Sequence, residues 1–227
     1  MGDKKQKEAM IKKAKQVLVV GACVLFVVLM ILSGMSSHWL TMFKVIKPGD
    51  AVVVDYTMYD INGNAILTSS QTTYKAAVEK DQNLIYSKQL SMTAGTNQTK
   101  SIYPISIYTS SSGWTKEYAL FSSEYNAIDQ ALVGMRAGDQ KRIAVPNSSM
   151  AQEWSAVQLS RNGVDIQSLN VGDVLAMGVS ENPELMTNTS ITYTRIGEVT
   201  SKTNDSVTVD FGYPVVDISV VSINTDS

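Results

Sequence analysis

The sequence predicts an α+β fold: sheet strands with one short helix, a second β-rich unit towards the C-terminus, and an N-terminal transmembrane helix. Three observations predict it. Apolar and polar residues alternate over Val45 to Thr57, Ser190 to Thr200 and Ser206 to Phe211, the period of a strand. Tyr125, Ile128, Leu132 and Met135 recur at helical spacing. Val17 to Met35 is apolar or small and carries no charge, close to the roughly 20 residues a membrane-spanning helix needs.

Taken in order, residues 1–15 form a basic tail, with Lys4, Lys5, Lys7, Lys12, Lys13 and Lys15 against Asp3 and Glu8. Residues 16–40 read as a single-pass anchor. Only Lys44 and Lys47 follow it closely, so the positive-inside rule puts the tail in the cytoplasm and the body outside. Trp39 and Phe43 stand where interfacial aromatics belong. The alternative is a cleaved signal peptide, with Gly34 and Ser36 as small residues near the cut. The apolar stretch exceeds the roughly 7–15 residues of a signal h-region, which favours a retained anchor.

Val45 to Thr57 is the first strand, Asp60 to Asn64 a turn whose Asn and Gly tolerate positive φ, and Ala65 to Thr68 the returning strand. Residues 71–122 form a long polar connection in which Leu84 to Tyr86 and Ile102 to Tyr108 are short apolar groups, the second alternating like a half-buried strand. Glu124 to Met135 is the helix, capped by Ser122 or Ser123 and ended by Gly134 and Gly138. Lys141 to Val145 is a strand stopped by Pro146. Residues 151–212 read as a separate β-rich unit. In it Val171 to Met177 turns into a strand, and Lys202 to Asp205 joins a hairpin. Val215 to Ile223 closes the chain as a last strand.

The 227 residues are 44% hydrophobic with a net charge of −2, and the basic tail leaves the body mildly acidic. Such a surface has no electrostatic footprint for nucleic acid. Cys23, the only cysteine, lies in the span, which excludes an internal disulfide and a cysteine metal site. His38 is the only histidine, so residues 41–227 hold no Ser-His-Asp or Cys-His set. No metal or cofactor is expected.

Two stretches carry a resemblance. One is Gly49-Asp50, Val52 to Thr57, the Asp60 to Gly63 turn and Ser69-Ser70. The other runs Tyr125 to Pro146, with Gly134-Met135, Gly138-Asp139 and Lys141. Together they resemble the FKBP-type peptidyl-prolyl isomerases. Val171 to Leu175, Gly197 to Val199 and Asp205 to Pro214 resemble the SlyD-like branch, in which a flap domain interrupts the isomerase domain before its last strand. Gly212-Tyr213 replaces that branch's Asn-His. The resemblance implies an antiparallel sheet wrapped on a short helix over 45–150, a flap at 151–212 and the last strand at 213–225; the connection at 71–122 is a long insertion where the family's is much shorter.

It also implies a reaction. Resonance holds the amide planar behind a barrier of about 18–20 kcal/mol, and the twisted transition state is relieved of it. An apolar pocket favours that twisted state. By resemblance the pocket falls on Tyr56, Leu67, Thr68, Tyr125, Ile128, Met150 and Val216. Leu67 and Thr68 stand for the family's Phe-Asp, so an aromatic wall and a carboxylate are lost. The alternative for Tyr56, Leu67, Ile128 and Val216 is plain core packing. In the flap, Val174, Leu175, Met177, Val179, Leu185 and Met186 either form an adaptable chaperone surface or the flap's own core. Expected partners are proline-containing unfolded polypeptides and, through 16–40, the membrane. Asn97, Asn147, Asn188 and Asn204 open Asn-x-Ser/Thr tripeptides suited to a glycosylated extracytoplasmic body. The second function weighed is a non-catalytic FKBP-like module that recruits a membrane or envelope partner.

Overall fold

The computed structural model describes residues 18–21, 23–27, 30, 44–180 and 193–224. The chain divides into two units, 1–43 and 44–227. Most of the expected anchor and all of the basic tail lie outside the described residues, as do Leu185, Met186 and Asn188. Those described within the anchor are helical and exposed, and no helix among the described residues is long and apolar enough to cross a membrane.

In the larger unit, β1 (Ala51–Tyr59) turns Val52, Val54, Tyr56 and Met58 to the inside, a period-2 pattern of β-branched and aromatic residues. The expected start at Val45 is corrected. Val45 makes only an isolated bridge to Arg136, and the strand begins after a turn. Pro48 offers no N–H there, Gly49 adopts φ +94°, and the Asp50 carboxylate accepts the Lys47 N–H at 2.9 Å. After β1, the Asp60 carboxylate accepts the Asn62 and Asn64 N–H groups at 3.0 and 2.7 Å, and Gly63 takes φ +82°. β2 (Ala65–Thr68) follows as expected.

The 71–122 connection is more ordered than its composition implied. Ser70 caps α1 (Gln71–Val78), its hydroxyl accepting the Thr73 N–H at 3.3 Å. Then come β3 (Ile85–Tyr86), β4 (Leu90–Thr93) and a hairpin of β5 (Ile102–Thr109) and β6 (Gly113–Phe121). α2 (Ser122–Leu132) starts and stops earlier than predicted. Neither serine caps it. Instead the Glu124 carboxylate reaches back to the Phe121 N–H at 2.9 Å. Val133 leaves the helix in an extended conformation and Gly134 turns with φ +90°.

β7 (Gln140–Ala144), β8 (Ala151–Ser155), α3 (Ala156–Arg161), a 3₁₀ turn (Ile166–Ser168), β9 (Val174–Val179), β10 (Tyr193–Lys202), β11 (Ser206–Asp210) and β12 (Val215–Asn224) complete the order. One sheet runs β3-β2-β1-β12-β7, with β4 beside the first half of β1. The long antiparallel β1–β12 register, from Ala51↔Asn224 to Tyr59↔Val215, is its spine. α2 buries Ile128 and Leu132 against it. The other sheet runs β5-β6-β10-β11-β8, with β9 on the far edge of β10. The hairpin of the insertion therefore shares a sheet with the strands of 151–212. That second sheet covers a smaller core of Leu159, Leu175, Met177, Val207, Val209 and Phe211.

Candidate functional site

Tyr56, Leu67, Ile128 and Val216 come together in the main core, and Tyr125 packs against it. Tyr56 is 1% exposed, and its hydroxyl donates to Ser87 Oγ at 2.7 Å. Burial pushes that phenol's pKa well above the ordinary value. Leu67, Ile128 and Val216 have no exposed surface. Thr68 is equally buried. Its Oγ1 lies 2.7 Å from Thr57 Oγ1, donates to the Tyr56 carbonyl at 3.2 Å and accepts the Ser70 N–H at 3.1 Å. The Thr68 hydroxyl is thus fully engaged in tying β1 to β2 and the α1 cap. Tyr125 is half-buried and stacks on Tyr103, ring centroids 4.1 Å apart and planes 16° apart. Met150 is not brought to this group. It packs on the second core, and its N–H donates to Asp210 Oδ1 at 2.9 Å.

The β5–β6 hairpin covers this cluster. Ile105, Ile107, Tyr118 and Leu120 are buried in it. Ser87 bridges to Ile107, and the Lys88 N–H donates to the Ser106 carbonyl at 2.9 Å, stitching β3 to β5. Tyr213 enters the same core. Its hydroxyl pairs with that of Tyr118 and donates to the Ile196 carbonyl at 2.9 Å.

Beside it lies a buried ion pair that the sequence reading missed. Arg195 on β10 has no exposed surface. Its guanidinium pairs with Glu124, with one nitrogen 3.0 Å from Oε2, and donates to the Ala119 and Phe211 carbonyls at 2.8 and 2.7 Å. The Tyr213 ring lies 3.7 Å and the Phe121 ring 4.5 Å from its carbon. Burial, the largest single effect, lowers the guanidinium pKa, but Glu124, Tyr213 and Tyr118 together raise it further, so the net shift is upward. One signal was available: Arg195 shares inward parity with Gly197 and Val199, and an inward charge demands a partner.

Open grooves lie outside this closed core among the described residues. One crosses the outer face of the first sheet, past Asp55, Tyr59, Gln140, Arg142, Asp217 and Ser219. There Arg142 grips Asp217 with contacts of 2.7 and 2.9 Å and lies 4.9 Å over the Tyr59 ring. Another lies between the start of α1 and the hairpin and shares Asp55, Ser70 and Thr72 with the first. Within 151–212, Leu175 and Met177 are core residues, whereas Val174 is exposed. Asn97, Asn147 and Asn204 are exposed, the first two in left-handed backbone at φ +44° and +51°. No cluster of His, Cys, Asp and Glu among the described residues could hold a metal ion. No protein-family model and no curated protein matches the chain.

Proposed function

We propose that the chain is an FKBP-like module, tethered to a membrane with its body outside the cytoplasm, that binds polypeptide without turning over prolyl bonds. One observation carries this reading: the residues that the resemblance assigns to the prolyl pocket are buried under the chain's own β5–β6 hairpin. A substrate proline ring needs the volume that Ile107, Tyr118, Leu120 and Tyr213 fill, and close-packed interiors yield such volume only at high cost. Polypeptide binding draws instead on the open grooves and on the exposed flap edge at Val174. The test is to mix the full chain with a chemically unfolded test protein and follow light scattering as it aggregates. Suppression without acceleration of prolyl isomerisation is the expected outcome; absence of suppression overturns the binding role.

A second reading is a gated peptidyl-prolyl isomerase. What favours it is the convergence of Tyr56, Leu67, Thr68, Ile128 and Val216 at one place under one hairpin. In this reading the hairpin is a lid, and loosening it with Ile107→Ala raises the isomerisation rate. A rate that stays spontaneous in that variant removes the reading.

A further inference from the structure

We propose that the notch formed by Tyr86, Trp114 and Tyr108 binds a proline-rich segment in the polyproline II conformation. The proposal deepens the polypeptide-binding reading by naming the partner's chemistry and a place for it outside the closed core.

Four rings form a continuous series on the surface. Tyr74 stacks on Tyr86 at 4.8 Å, Tyr86 meets Trp114 at 5.5 Å, and Trp114 meets Tyr108 at 5.7 Å. Trp114 and Tyr108 remain 43% and 50% exposed, although each buries a costly apolar area when covered. Among the described residues, the indole N–H of Trp114 and the side-chain amides of Gln71 and Gln89, which line the same groove, make no hydrogen bond.

The shape selects the ligand. The Trp114 plane is tilted 51° from Tyr86 and 69° from Tyr108, so the rings make V-shaped notches rather than a flat platform. The Lys88 ammonium sits 5.3 Å from the Trp114 centroid and obstructs one face of the indole. A sugar ring needs an open flat face, whereas a pyrrolidine ring wedges between tilted faces. A polyproline II segment is stiff before binding and leaves its carbonyls unpaired. The indole N–H, the two amides and Lys88 are donors for those carbonyls. Asp55, at the junction of the two grooves, engages Ser69 through Oδ1 at 2.9 Å and keeps Oδ2 for a basic residue beside the prolines.

The experiment titrates the full chain into a fluorescein-labelled decaproline peptide carrying one arginine and follows anisotropy. A Gly-Ser peptide of equal length and charge, and a chito-oligosaccharide, are the comparison probes. Expected are saturable binding of the decaproline peptide, no binding of the Gly-Ser peptide, and at least a tenfold loss in both Trp114→Ala and Tyr108→Ala. These exposed positions leave folding intact, which circular dichroism checks. No decaproline binding, or binding that Trp114→Ala leaves unchanged, overturns the proposal, as does chito-oligosaccharide binding lost in that variant. If the chain suppresses aggregation of an unfolded protein but ignores decaproline, this site falls and the module reading stands. If it does neither, both fall.

Discussion

Arg195 and Glu124 show what a single pair does here. A charge inside an apolar interior is tolerable only when paired and fully hydrogen-bonded, and Arg195 meets that condition with one carboxylate and two backbone carbonyls. Arg195→Met leaves Glu124 buried without its counter-ion and is expected to cost about 3–5 kcal/mol in urea unfolding. The double variant Arg195→Met with Glu124→Met is expected to recover part of that loss, since the lone buried charge is gone. Glu198 is a contrasting case. Asn62 donates to one of its oxygens, while the other is buried without a partner. Burial, with Asp60 close by, raises its pKa above the ordinary 4.5. A raised folded pKa means that the native state binds more protons. The contribution is therefore fully present below pH 4.5 and is lost as pH rises through the folded value. Glu198→Gln is expected to raise the midpoint of thermal unfolding at pH 7 and to flatten stability against pH above 4.5; an unchanged slope there contradicts this. Residue-level features were partly legible. Core packing was the alternative weighed for Tyr56, Leu67, Ile128 and Val216, which the resemblance had gathered, and all four are buried. Neither pointed to the partner of Arg195, because that partner is 71 residues away in sequence.

At the scale of elements, the β5–β6 hairpin matters most. It joins the second sheet by pairing β6 with β10 at Tyr118↔Thr194 and lays Ile105, Ile107 and Leu120 into the core of the first. Ile107→Ala or Leu120→Ala is expected to destabilise the chain by about 2–5 kcal/mol, the range for truncating a buried aliphatic side chain, as read by chemical denaturation. The segment joining β11 to β12 is as demanding. A Cβ on Gly212 would lie 1.7 Å from the Ser148 carbonyl oxygen, a backbone atom that cannot swing away. Gly212→Ala is thus expected to cost at least about 1–3 kcal/mol, measured the same way. β11 was readable from its clean alternation, and β2 and β12 from the turn and the Gly-Tyr-Pro break that precede them. α1 and β6 were not. α1 buries only Ala77, so it has no apolar stripe to read, and β6 carries few β-branched residues. Their form depends on a serine cap and on long-range pairing, neither of which periodicity reports.

On the scale of the molecule, residues 44–227 join two sheets around two cores, and the 71–122 insertion links them. The sequence predicted the α+β class and the β-rich segment at 151–212. It treated the insertion as a polar connection, whereas the insertion supplies the cover of the very cluster to which the resemblance assigned chemistry. Under the proposed function, this cover closes the place of a prolyl pocket. The most direct measurement is the cis-to-trans rate of a short X-Pro peptide with and without the full chain. A closed cluster leaves the spontaneous rate, a relaxation of tens to hundreds of seconds at 25 °C, at every protein concentration. Saturable acceleration that rises with protein concentration would contradict it and restore an open, working pocket.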